Sequence, residues 1–445
     1  MDIMVKTNNG VVCGVPKPGY VVYKGIPYAK PPVGELRWKE PQEPDTWDGV
    51  YQADTFRAMC WQKMPTNEYP QAAMMRHEFY EDEANMPEMS EDCLYLNIWV
   101  PDHKQDEKLP VAFWIHGGGF GGGYSSEIEF DGEEYCKKGI ILVTIAYRLN
   151  IFGFLAHPWL TEDSDHHVSG NYGCLDQVAA LRWVYDNIEA FGGDRDNITV
   201  FGQSAGSMST QVLVSSDLTG NMIRKAIMQS GHTCAEKMFA APTLEEEESY
   251  GKIFVEKAGV KNLAELRALP VEAVIEAKEE MEAELARQGK NMVIVPNVDG
   301  YLLKESVGDA WKNGNFKKIP YMLGCVTDDL GSTPEQIENN QPGILLTEAK
   351  RWSRKCMSYN LPTYLYYFSH QLPGENGTAF HTAELWYMMG TLGRCWRPMK
   401  DEDFKLSEEM ITYWSNFMKT GNPESSDTEM WPAYTTENDF VREFK

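Results

Sequence analysis

The chain has 445 residues, 42% hydrophobic and 24% charged, a length and composition that allow a large buried core. With 41 Lys and Arg against 66 Asp and Glu, the net charge of −25 argues against a nucleic-acid partner and against docking on anionic membrane. No apolar run reaches the ~18 residues of a membrane span. The first ten residues hold neither an apolar h-region nor a cleavage site, so no secretory signal is predicted. Nine widely spread cysteines without a Cys-x-x-Cys suit a reducing cytoplasm.

Short alternating runs at 11–15 and 20–23, closed by Gly and Pro, predict β-hairpins. Residues 61–92 are rich in Met, Glu, Pro and aromatics without a period, which predicts a long excursion and no regular element. From residue 94 the pattern turns α/β. Runs 94–100, 111–115 and 140–147 are strand-like, and the last two are nearly continuously apolar, as buried parallel strands require. A helix is predicted over 175–191, with Val178, Leu181, Val184, Tyr185 and Ile188 on one face and Gly192-Gly193 at its end. A strand over 198–201 leads through Gly202-Gln203-Ser204-Ala205-Gly206 into a helix from about Ser207.

A short strand at 226–229 comes next. Residues 243–289 then read as wholly helical, with the acidic run 245–248 in a first turn where negative charge favours the helix dipole. Strands return at 321–326 and 364–368, and an amphipathic helix over 407–419 runs into Gly-Asn-Pro. Alternating strands and helices predict an α/β fold, a mostly parallel sheet with helices on both faces. The excursion at 61–92 and a helical insertion at about 243–290 would cover its top, within one catalytic domain over 1–445.

The chemistry centres on Gly202-x-Ser204-x-Gly206. The motif alone is weak, but here an apolar strand precedes it and a helix follows. Such an elbow strains the serine backbone and exposes its hydroxyl above the sheet, and flanking glycines leave room for it. The competing reading is a serine in an ordinary βα turn. Next, His116-Gly117-Gly118-Gly119-Phe120 ends the strand at 111–115. Consecutive glycines let the N–H groups of Gly118 and Gly119, with Ala205 N–H as a third, point at an oxygen that becomes negative. A plain Gly-rich turn is the alternative; a phosphate loop lacks its Gly-Lys-Ser/Thr.

A serine nucleophile needs a base, and the base an orienting acid, in the chain order Ser, acid, His. His232 follows Ser204 too closely to leave room for an acid-bearing strand. Spacing leaves His370 and His381 nearly even. Asp328 and Asp329 follow the strand at 321–326, where the acid belongs, and Glu335 is the next carboxylate to consider. His166-His167 read as solvated loop residues. No His-Glu-x-x-His occurs, so neither metal nor cofactor is predicted.

These blocks together resemble the type-B carboxylesterases, the family of bacterial para-nitrobenzyl esterases and cholinesterases. The resemblance spans nearly the whole chain. It includes Gly25-Ile-Pro-Tyr-Ala-Lys-Pro-Pro, Ser90-Glu-Asp-Cys-Leu-Tyr-Leu-Asn-Ile-Trp, the His116 loop, Asn171-Tyr-Gly-Cys-Leu-Asp-Gln, Phe201-Gly-Gln-Ser-Ala-Gly, His381-Thr-Ala-Glu-Leu and Trp431-Pro-Ala-Tyr. It implies an α/β-hydrolase fold. It selects His381 as the base and places the acid at Asp329, where the family carries Glu. It puts Ser230 in the shell behind the acid and Gln203 where the family carries a Glu before the nucleophile. The short stretch between acid and histidine implies a reduced helical cover and an open pocket. Cys60 and Cys93 match a disulfide of secreted members and would face each other as thiols in a cytoplasmic chain.

The expectation is therefore a bacterial, cytoplasmic serine carboxylesterase that works through an acyl-enzyme on small-molecule esters, with Met75, Phe79 and Phe120 among the substrate contacts. A feruloyl or acetyl-xylan esterase, a lactonase or an amidase could use the same triad. A non-catalytic binding protein on this fold is the third reading, and the retained Ser, Asp and His count against it.

Overall fold

A computed structural model describes residues 3–445 apart from 82–85, 105, 106, 233, 235–240, 292, 376 and 427. Residues 82–85 of the expected excursion thus lie outside the described residues. In chain order the described strands are β1 (Met4–Thr7), β2 (Gly10–Cys13), β3 (Val15–Lys17), β4 (Tyr20–Pro27), β5 (Val50–Gln52), β6 (Tyr95–Pro101), β7 (Leu109–Ile115), β8 (Ile141–Ile145), β9 (Gly193–Gln203), β10 (Lys225–Gln229), β11 (Tyr321–Val326), β12 (Thr363–Phe368) and β13 (Arg442–Phe444). Ten of them form one sheet in the order β13-β12-β11-β10-β9-β7-β8-β6-β4-β3, and β1, β2 and β5 form a small one beside it. From β13 to β8 every neighbouring pair is parallel; β6, β4 and β3 close the other edge antiparallel.

The period of two along each strand feeds two separate cores. Val111, Phe113 and Ile115 of β7 join Ile141, Val143 and Ile145 of β8 and Ile198 and Val200 of β9 on one face. Ala112 and Trp114 join Leu142 and Phe201 on the other. The first face is covered by helices Tyr172–Asn187 and Ala205–Ser215, through Leu181, Val184 and Leu213. The second is covered by Glu384–Met389 and Asp401–Thr420, through Trp386, Tyr413, Trp414 and Phe417. Both faces being dry explains why these strands read as continuous apolar runs. No described helix is long and apolar enough to cross a membrane.

Two expectations need correction. The 61–92 stretch is not element-free, because Pro70–Phe79 is a helix with Pro at its first position and Arg76 and His77 in its last turn. Its apolar residues lack a helical stripe, so periodicity could not find it. The helix after Ser204 begins at Ala205, two residues earlier than expected, so the serine itself is the capping position. The helical block resolves into Leu244–Ala258, Leu263–Arg267 and Val271–Arg287. Its first turn is held by a capping box: Thr243 Oγ1 accepts from Glu246 N–H at 3.2 Å, and Glu246 accepts from Thr243 N–H at 3.0 Å.

One residue of that block works against stability. Glu247 is buried, its Oε1 meets no hydrogen-bond partner, and burial, then the Glu246 charge, push its carboxyl from 4.5 up to about 9. A carboxyl raised in the folded state stabilises it fully only below its unfolded value. That stability drains away as pH rises from 4.5 through 9. At pH 7 the cost is on the order of 3 kcal/mol. Glu247→Met is expected to raise the melting temperature, with a larger gain at pH 8 than at pH 5; calorimetry showing an equal gain at both pH values would contradict this.

Candidate active site

Ser204 stands at the end of β9 with φ 56 and ψ −125, a region that side-chain-bearing residues avoid. The glycines around it are obligatory. A β-carbon at Gly202 would lie 2.5 Å from the Gly206 carbonyl carbon, and one at Gly206 would lie 2.0 Å from the Ile115 carbonyl oxygen. The turn is therefore pressed onto the neighbouring strand β7, and only hydrogen fits at either flank. Ser204 N–H donates to Gln229 O of β10 at 2.8 Å, which fixes the elbow from the other side.

The glycine loop follows directly from β7. A β-carbon at Gly117 would come within 3.1 Å of Ser204 Cβ and 2.8 Å of Gln203 O, so the loop lies against the serine. Gly118 (φ +102) and Gly119 (φ +62) use the left-handed region that glycine tolerates. Gly121 N–H and Gly122 N–H both donate to Gly118 O at 3.0 Å, so the chain doubles back on itself there. Gly118, Gly119 and Ala205 all border the same cavity as Ser204.

His381 lies in that cavity wall too. Its Nδ1 is 2.7 Å from Asp329 Oδ1. The buried Asp329 also accepts from Val326 N–H at 3.0 Å and Leu330 N–H at 2.8 Å. Burial pushes the His381 imidazole down, but the charge and hydrogen bond of Asp329 outweigh it, and its pKa lies above the usual 6.5. Asp328 points elsewhere, accepting from Thr378 Oγ1 at 3.2 Å. His370 sits apart, 2.8 Å from Asp403 Oδ1, and His232 is buried against Leu345 O. Glu335 is exposed on the short helix Pro334–Glu338.

Gln203 is buried behind the serine, with Nε2 3.4 Å from His381 Nε2. Ser230 is buried at φ 52; its N–H donates to Gly324 O, while its hydroxyl has no partner among the described residues and no bond to Asp329. One neighbour escaped the sequence reading. Glu384, one turn beyond His381, is fully buried, and burial, then the Asp329 charge, push its carboxyl up to about 7. Its only sequence signal is its place in the His381-Thr-Ala-Glu block. Cys60 and Cys93 are buried free thiols; the hydrogen bond from Cys60, with burial, pushes the Cys93 thiol well up. Among the described residues no cluster of three or more His, Cys, Asp or Glu could hold a metal ion.

The cavity has a volume of about 840 Å³ and is walled by Met64, Pro65, Ala72, Met75, Met208 and Leu330. Met75 lines it. Phe79 and Phe120 do not. Phe79 is buried, its ring stacked on Trp386 at 5.4 Å, and Phe120 is buried against Phe154 at 5.3 Å. Both are drawn inward because their elements present them to the core and not to the mouth.

Comparison with known proteins agrees with this architecture. The family model described as "Carboxylesterase family" matches residues 1–348 and 343–445. The chain belongs to the carboxylesterase family. It is 33% identical to the para-nitrobenzyl esterase of Bacillus subtilis (strain 168) over 98% of this chain and 93% of that protein. It is 31% identical to a fumonisin B1 esterase of Sphingopyxis macrogoltabida over 96% of this chain and 84% of that protein. A solved PNB esterase structure superposes with a TM-score of 0.83 at 31% identity, covering 100% of this chain and 96% of that one. This carboxylesterase accordingly has the α/β-hydrolase fold and is a carboxylic ester hydrolase.

Proposed function

We propose that Ser204 is the nucleophile of this carboxylesterase, His381 its base and Asp329 the acid that orients the base. The carrying observation is the strained Ser204 elbow opening into the same cavity as the hydrogen-bonded His381–Asp329 pair. Ser204 Oγ attacks the ester carbonyl as His381 Nε2 takes its proton. Asp329 holds the Nδ1–H tautomer and supports the imidazolium. The N–H groups of Gly118, Gly119 and Ala205 receive the developing oxyanion. His381 then hands the proton to the leaving alcohol, and water repeats the sequence on the acyl-enzyme. Gln203, uncharged, adds no second anion beside the imidazolium.

The substrate class follows from the walls. Met64, Pro65, Met75, Met208 and Leu330 offer adaptable apolar surface, with Lys63, Glu68 and Tyr69 adding polar groups to the lining. This supports small esters with apolar or aromatic arms, in line with the para-nitrobenzyl esterase relative, over acetylated xylan. The whole chain, 1–445, would act as one catalytic domain. Free Cys60 and Cys93 support a cytoplasmic setting, and the Bacillus relative a bacterial one.

A panel of acyl and aryl esters, lactones and amides tests the reading. Aryl esters are expected to turn over fastest, and Met75→Ala to change kcat/KM by several-fold more for bulky esters than for acetates. Preferential turnover of amides or lactones would overturn the substrate assignment. An equal loss on every ester, with lowered stability, would make Met75 a packing residue only.

A further inference from the structure

The loop that carries Gly118 and Gly119 is held by a side chain from a distant segment. Gln62 is buried, and its primary amide is used completely. Its Oε1 accepts from Gly123 N–H at 2.6 Å, and its Nε2 donates to Gly123 O at 3.0 Å and to Cys60 O at 3.1 Å. The amide therefore pairs with both polar groups of one peptide residue, as a neighbouring strand would. Glycine at 123 is dictated by the close approach, since a β-carbon there would meet His116 Nδ1 at 2.5 Å and Gly117 O at 2.8 Å, at φ +100.

Gly123 lies against the start of the loop, so fixing it fixes the whole turn. A β-carbon at Gly118 would strike Gly122 O at 2.2 Å, and Gly118 O takes the N–H groups of Gly121 and Gly122. A second tie meets the tip of the same loop. Asn150, at φ 45, donates its N–H to Phe120 O at 2.7 Å and its Nδ2 to Trp61 O at 2.6 Å. Leu149 N–H donates to Cys60 Sγ at 3.3 Å. Residues 60–62 and 149–150 thus grip the glycine loop at Phe120 and at Gly123. The chain leaving Gln62 goes straight on to form the cavity wall at Met64 and Pro65.

We infer that Gln62 is a positioning residue for the oxyanion site: its amide sets the direction of the Gly118 and Gly119 N–H groups by holding Gly123. This rests on the acyl-enzyme reading above. A seven-residue loop with six glycines, Gly117 to Gly123 apart from Phe120, has little intrinsic stiffness. Donors that must be aimed before charge develops need stiffness from elsewhere. Gln62 supplies it with three hydrogen bonds and touches no reacting atom.

Gln62→Met keeps the length of the side chain and removes all three bonds. It is expected to lower kcat about 10- to 100-fold, in the range that misplacing a reacting group by about 1 Å produces, with KM nearly unchanged. Binding of an aryl trifluoromethyl ketone, whose adduct with the serine carries the oxyanion, should weaken by the same factor as kcat/KM. Gln62→Glu keeps the acceptor for Gly123 N–H. Its introduced carboxyl can donate only when protonated, and when ionised it faces two carbonyl oxygens. The ratio of its kcat to that of the wild type should therefore fall as pH rises, a dependence that a purely structural role would not create. Phosphonate labelling of the wild type is run alongside. If the wild type is labelled at Ser204 but Gln62→Met shows wild-type kcat, or loses only KM, the inference alone is overturned. If the wild type is not labelled at Ser204, the acyl-enzyme reading falls and takes the inference with it. Should Gln62→Met not fold, a flat pH ratio for Gln62→Glu is the overturning result.

Discussion

Ser204→Ala is expected to give a folded protein whose kcat on aryl esters has fallen by on the order of 10⁶, the scale seen on removing the nucleophile of another serine hydrolase. Stability should change little, or rise. The serine holds φ 56 through the packing of Gly202 and Gly206, and its N–H bond to Gln229 O does not involve the side chain. Alanine is subject to the same backbone strain and loses only a hydroxyl at the cavity wall. The wild type should take up one phosphonate per chain, on Ser204, and the variant none. Mass spectrometry of the labelled peptide and single-turnover kinetics check this. Label on another residue, or kcat within a hundredfold of the wild type, would sink the nucleophile assignment.

Asp329→Asn is expected to lower kcat by ~10⁴, the loss measured for the corresponding change in another triad hydrolase. The amide nearly preserves shape, but its NH2 can donate to His381 Nδ1, which stabilises the tautomer with the proton on Nε2, facing the serine it should deprotonate. The pH profile adds a second readout. The base works when neutral, so kcat/KM of the wild type should rise with pH through the His381 ionisation, which lies above 6.5 because of Asp329. Without the charge of Asp329, burial is left as the leading influence and pulls that ionisation down. The residual activity of the variant should therefore hold to lower pH than that of the wild type. Asp328→Asn keeps an acceptor for Thr378 Oγ1 and removes a charge that ranks behind those of Asp329 and Glu384 in its effect on His381, so it should stay within a few-fold of the wild type. The assignment fails if Asp328→Asn is the crippled variant, or if the acid limb of Asp329→Asn does not move.

Much of the proposed catalytic site is legible in short stretches. The run Ile198 to Gly206 carries its own strand, the glycines that admit a φ of 56, and a helix start, all within nine positions. His116 to Gly123 likewise contains the left-handed residues its loop requires. Backbone sterics act between residues a few positions apart, so such pieces are legible without knowing what surrounds them. The buried strands were legible for the same reason, since their apolar runs record burial on both faces.

Pairing across the chain is a different matter. Spacing left His370 and His381 open, resemblance favoured His381, and only the sheet brings it to Asp329 over a separation of 52 residues. Strands β11 and β12 lie in parallel register, Val326 opposite Phe368, so the loops that leave them carry Asp329 and His381 to the same end of the sheet. The helix Pro70–Phe79, the inward turn of Phe79 and Phe120, and the grip of Gln62 on Gly123 across 61 residues were invisible beforehand. The sequence by itself determined the local shapes of the nucleophile elbow and the glycine loop, because glycine sterics and strand periodicity are properties of neighbours. The tertiary structure alone decided which distant side chains meet His381, bond to the glycine loop and line the cavity, because those contacts are set by strand register and packing between elements that share no local period.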